Sequence, residues 1–191
     1  VKKFPISTYV NMPSSAFHFR LMGNYRINKF SMVYRQIGPE FVSLANPYLT
    51  TNIREFVFTN RLALIENKLS LSATYKYKDD KILRVVEEPL KTQTLVGSFT
   101  FMPGPNAPSF IVNFQTIGKN NSKTELETVG EELQDLRQDS RTNNSFFSVM
   151  YPFTTGVVKH NLNLNVNNIV NEDQLAGDRK KDYFYQKSDS K

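Results

Sequence analysis

Side chains able to do acid–base or metal chemistry are few among these 191 residues: two histidines, His18 and His160, and 18 Asp and Glu, with no cysteine. Lack of cysteine excludes a thiolate metal site, a cysteine nucleophile and a disulfide framework. His18 and His160 fall on opposite parities of two β-strands, so no shared catalytic or metal site is expected. Each reads as a residue of its own surface: His18 on the polar side, His160 near a boundary. Asp79-Asp80, Glu87-Glu88, Glu131-Glu132 and Asp135 lie in polar connections without the spacing of a calcium loop, and read as solvated charge. The eight glycines are scattered, and none builds a phosphate-cradling loop. No enzyme activity and no cofactor or metal are expected.

Cationic chemistry remains, because 24 Lys and Arg against 18 acids leave a formal charge of +6. Arg20, Arg26, Lys29, Arg35, Arg61, Lys76, Lys78 and Lys159 share one parity, against a single clear acid, Glu55. If that parity lines an interior, its field is positive and favours anions. The bland alternative is that these side chains pair with loop carboxylates or a plug. Nucleic acid is not expected: the bases are spread over many strands, no recognition helix is available, and Arg179-Lys180-Lys181 is a lone cluster.

The elements that must position these residues are strands. Apolar repeats at helical spacing are nearly absent, and period-2 alternation recurs. Phe56, Phe58, Leu62 and Leu64 alternate with Glu55, Val57, Thr59, Arg61 and Ala63, and Leu69, Leu71, Ala73, Tyr75 and Tyr77 with Ser70, Ser72, Thr74, Lys76 and Lys78. The pattern predicts eight strands, near 16–26, 28–37, 53–65, 68–78, 92–102, 108–118, 143–153 and 157–168, with a ninth starting at Tyr183. The acidic run 125–137 reads as an extension of a hairpin rather than a helix. Links near 27, 66–67, 103–107 and 154–156 are short, whereas 38–52, 79–91, 119–142 and 169–182 are long and polar. Strict alternation of short and long links is the habit of transmembrane barrels.

Residues 92–118 contain no Asp, Glu, Lys or Arg. Pro103, Gly104, Pro105 and Pro108 in the middle forbid a membrane helix and leave two uncharged strands of about the length that crosses hydrocarbon. A second uncharged hairpin spans 142–158. Phe17, Phe19, Phe30, Met32, Tyr34, Phe56, Phe58, Phe99, Phe101, Phe110, Val112, Phe114, Phe147, Val149 and Tyr151 are expected to face lipid. Arg20, Arg35, Arg61, Lys76, Thr100, Asn113, Gln115 and Asn163 are expected on the other side, too polar for a dry core. Tyr25, Tyr34, Tyr75, Tyr77 and Tyr151 fall near strand ends, where an aromatic girdle would lie.

Residues 38–49, Gly-Pro-Glu-Phe-Val-Ser-Leu-Ala-Asn-Pro-Tyr-Leu, followed by Ile53-Arg54-Glu55-Phe56, carry the most recognisable text. They resemble a loop of large, mostly uncharacterised outer-membrane barrel proteins of the Bacteroidota–Chlorobi group. So do the Tyr-Lys run that ends in Asp79-Asp80, and the stretch from Asp135-Leu136-Arg137 through Arg141-Thr142-Asn143-Asn144 to Tyr151-Pro152-Phe153. The resemblance covers about 16–168 and implies an outer-membrane location, without an activity.

The expectation is therefore an all-β, antiparallel up-and-down transmembrane β-barrel, or a fragment of a larger one. Residues 1–15 form an N-terminal extension, 16–185 the strands and loops, and 186–191 a tail, which departs from the terminal aromatic strand usual in such barrels. The start and end suggest a processed or truncated chain. The expected role is a non-enzymatic pore, scaffold or secretion-associated subunit with a basic lumen. Its expected partners are outer-membrane lipid and other subunits of an outer-membrane complex. The alternative is a soluble periplasmic β-barrel or sandwich binding a lipid or glycan.

Overall fold

A computed structural model describes residues 13–46, 48–80, 89–105, 107–121, 123, 127–129 and 132–177. The expected ninth strand at Tyr183, the tail, most of the N-terminal extension, Glu87-Glu88, Glu131 and Arg179-Lys180-Lys181 lie outside the described residues.

The fold is all-β. Among the described residues ten strands form: β1 (Ala16–Asn24), β2 (Asn28–Ile37), β3 (Ile53–Leu64), β4 (Leu69–Asp80), β5 (Lys91–Phe101), β6 (Ser109–Asn120), β7 (Glu127–Val129), β8 (Glu132–Gln134), β9 (Asp139–Thr155) and β10 (Val158–Asp173). Eight of them make one antiparallel up-and-down sheet in the order β1, β2, β3, β4, β5, β6, β9, β10. β7 and β8 pair separately, inside the connection between β6 and β9. The extended reading of that acidic run thus holds over these two short strands. The large sheet is not closed: β1 and β10 are its two edges.

Up-and-down order puts the four short connections on one edge of the sheet and the long ones on the other. The β9–β10 link is a two-residue turn, Gly156-Val157, between the partners Thr155 and Val158. Gly156 has φ +62 there, which glycine adopts without steric cost. Between β3 and β4, Ile65, Glu66 and Asn67 all adopt positive φ, and the Lys68 amide donates to the Ile65 carbonyl at 2.9 Å.

Strands β9 and β10 run beyond the expected 143–153 and 157–168 toward the long-connection edge. After Ile169 and Val170, which face Asn144 and Asn143, the outermost added rungs pair polar residues, such as Arg141 with Glu172 and Thr142 with Asn171. Apolar alternation marks only the part of a ladder that meets an apolar phase, whereas backbone pairing continues wherever two strands stay in register.

Among the described residues the large sheet is a single layer. Among the described residues only Ile37 and Ile53 are buried apolar side chains, and they are cross-strand partners. None of the large side chains among the described residues is fully buried. Phe19, Phe99, Phe114, Phe147 and Leu164 stand between 38 and 56% exposed, so the sheet carries its aromatics on an uncovered face.

Candidate functional site: the two faces of the sheet

Direct partners in an antiparallel pair project to the same side, so the register assigns every side chain to a face. One connected row reads Phe17, Gln36, Arg54, Asp79, Lys91, Asn120, Asp139. Counting by twos from it places all fifteen residues expected to meet lipid on one face. The same count puts Arg20, Arg35, Arg61, Lys76, Thr100, Asn113, Gln115 and Asn163 on the other.

On the apolar face the strand charges are Arg54, Asp79, Lys91, Asp139, Arg141 and Glu172, all at the long-connection edge. They stand opposite one another with alternating sign: Asp79 between Arg54 and Lys91, Arg141 beside Glu172. Just inside this rim, the Tyr34 hydroxyl donates to Gln36 Oε1 at 2.7 Å and the Tyr77 hydroxyl to Asp79 Oδ1 at 2.6 Å. Both phenols thus aim their polar tips at the rim and their rings at the apolar band. At the turn edge Tyr151, Phe153 and His160 stack, with centroids 5.6 and 4.9 Å apart.

The polar face carries the expected cations. Arg20, Lys29, Arg35, Arg61, Lys76, Lys78 and Lys159 lie on its strands, while Arg26 sits in the turn between β1 and β2. Parity therefore does not apply to Arg26. Glu55 is the hub of the half nearer the long connections: Oε2 meets Arg35 Nη2 at 2.7 Å and Oε1 meets Lys76 Nζ at 2.6 Å. Its side chain is only 12% exposed, so these two cations replace most of its water. Lys78 pairs with Asp80 at 2.9 Å.

The sequence reading puts Asp80, Lys119 and Asp173 in the long connections 79–91, 119–142 and 169–182, but all three lie on strands of this face. Each lies past the residue where apolar alternation stops, on a rung that only the ladder adds. In the loops, Asp135 is not simply solvated: its carboxylate accepts from Arg137 Nε at 2.8 Å and Nη2 at 3.1 Å.

His18 lies beside Arg35 on the polar face and His160 beside Phe153 on the apolar one, so the structure does not bring the histidines together. Among the described residues no three His, Asp or Glu side chains converge as metal ligands would. No helix among them is long and apolar enough to cross a membrane. Comparison with protein-family models, with curated proteins and with solved structures finds no match to this chain.

Proposed function

We propose that this sheet is wall of a transmembrane β-barrel in a bacterial outer membrane, acting without catalysis as a pore, scaffold or secretion-associated subunit. The observation that carries the reading is the slope of the apolar band. Take the row from Phe17 to Asp139 as level. The main apolar stretch, broken on β3 by Asn60, which donates to Asn28 at 3.0 Å, then begins at Phe17 on β1, Tyr34 on β2, Phe56 on β3, Tyr77 on β4, Leu95 on β5, Phe114 on β6, Phe147 on β9 and its partner Val166 on β10. The onset drifts along the strands by the eight residues that separate Asp139 from Phe147. The other border drifts in the same sense, from Leu21 on β1 to Phe153 on β9.

At about 3.3 Å per residue and about 4.8 Å between strands, this drift slopes the band by about 40° to the inter-strand direction. Barrel strands tilt by about 35–45°, so a flat hydrocarbon slab cuts each successive strand at a shifted position. An aligned sandwich, whose two sheets keep their strands within about 30° of each other, would cover the strands over their shared length rather than along so steep a diagonal. It would also set a second layer on the apolar face, where a large exposed patch otherwise calls for a partner. Arg54 and Asp79, which flank the onset on β3 and β4, and the two tyrosines aimed at the rim match a headgroup boundary. The polar face becomes the wet interior.

The test is refolding of the full chain with and without detergent. The barrel reading expects a species that needs micelles or vesicles to stay monodisperse and migrates faster on a gel before boiling than after. A chain that stays monodisperse and β-structured in plain buffer would overturn it and favour the soluble binder.

A further inference from the structure

Charge is arranged differently in the two halves of the polar face. Toward the long connections opposite charges oppose: Glu55 has Arg35 and Lys78 as its direct cross-strand partners and binds Lys76 diagonally. Toward the turns the arrangement inverts. Lys29 and Arg61 are direct partners, and Arg26 joins them from the β1–β2 turn around a recess of about 370 Å³ lined also by Ile27, Ala63 and Asn67. The recess is held in shape by the backbone, since the Ala63 amide donates to the Ile27 carbonyl at 2.8 Å.

Like charges set directly opposite destabilise an antiparallel pair. Among the described residues none of these three cations forms an ion pair, and Arg61 Nε donates to Ser70 Oγ at 3.2 Å. Glu66, exposed in the neighbouring β3–β4 turn, makes no ion pair there either. All three are exposed, and cations gathered without an ion pair are relieved by an oxyanion bound between them.

We propose that Arg26, Lys29 and Arg61 form a phosphate-binding site at the turn edge of the polar face, taking a small phosphate-bearing solute. The planar guanidinium of Arg61 supplies paired donors that match phosphate geometry, and Lys29 and Arg26 supply charge. A lipid headgroup carries the same chemistry, but lipid belongs against the opposite face. The solute's route through an interior rests on the barrel reading, whereas the site itself needs only the β2–β3 register.

The experiment titrates pyrophosphate into the full chain folded in zwitterionic micelles, read by calorimetry and by the urea unfolding midpoint. Saturable binding is expected, weakened about tenfold or more by Arg61→Gln or Lys29→Gln, since a charge-assisted hydrogen bond is lost in each. Lys119→Gln, exposed on the same face at the other edge, is expected to bind within about twofold of the parent chain, its charge being screened over that distance. Lys29→Gln should raise the unfolding midpoint without pyrophosphate, because it relieves the like-charge pair. Pyrophosphate should raise the midpoint of the parent chain, and that of Arg61→Gln distinctly less at the same concentration.

No saturable binding, or equal loss in Lys119→Gln, refutes the site. If the fast gel mobility persists in such samples, the barrel reading survives that failure. Displacement of pyrophosphate by phosphatidylglycerol would overturn the solute assignment. Binding retained in a chain without the fast mobility would keep the site and remove the barrel.

Discussion

Replacing Phe99 by arginine is the sharpest way to challenge the facing and the slope together. Phe99 lies on the apolar face of β5, between its partners Leu71 and Val112, and is 38% exposed. Along β5 the apolar stretch begins at Leu95 and ends at Phe101, so position 99 is well inside the band. An arginine near the bilayer midplane costs about 2–4 kcal/mol, falling to about 0–1 kcal/mol at the interfaces. With a urea slope of about 2 kcal/mol per molar, Phe99→Arg should lower the unfolding midpoint in vesicles by about 1–2 M. Phe114 marks the onset of the band on β6, with Gly97 and Ser145 beside it. Phe114→Arg should therefore cost distinctly less than Phe99→Arg, although both replace an exposed phenylalanine on the same face. Thr100→Arg and Asn113→Arg turn toward the polar face, opposite Ser70 and Ile111 and opposite Ser98 and Phe146. Each should stay within about 0.5 kcal/mol of the parent chain, as surface changes usually do. The assay is urea titration of chain folded into vesicles, followed by tryptophan-free probes such as tyrosine fluorescence or circular dichroism. Equal damage from Phe99→Arg and Thr100→Arg would refute the facing, and equal damage from Phe99→Arg and Phe114→Arg would refute the slope.

Gly23→Ala should destabilise the β1–β2 pair by about 1–2 kcal/mol, because a Cβ there would collide with the ring of its partner Phe30; Phe30→Ala should cancel most of that penalty in a double-mutant cycle. Glu55→Gln should cost about 1 kcal/mol, discounted because Arg35 and Lys76 are 40 and 44% exposed, and the loss should shrink in high salt. On the proposed barrel reading, protease added to intact cells should cut within 119–142, and a tag near Gly130 should be labelled from outside. One near Asn106 should be labelled only after the outer membrane is opened. Both insertion points lie outside the described residues, and labelling of Asn106 alone would reverse the orientation.

Much of the strand order can be read from the chain itself. Alternation around Phe56 and Phe58, and around Leu69 and Leu71, names the strands and divides their side chains between two faces, because the period of a strand is two wherever it lies. Turn chemistry at Gly156 and the proline cluster at 103–108 mark where the chain reverses. What tertiary structure alone decides is register. Only the pairing of Lys29 with Arg61, and of Glu55 with Arg35, separates a cationic half from a neutralised one, since those residues are far apart in sequence and their distance depends on how strands align. Register likewise carries β4, β6 and β10 past the end of their alternation, adding Asp80, Lys119 and Asp173 to the polar face. The slope of the apolar band is invisible along any single strand. It emerges only when eight strands lie side by side, because an offset between strands leaves no mark within any one of them.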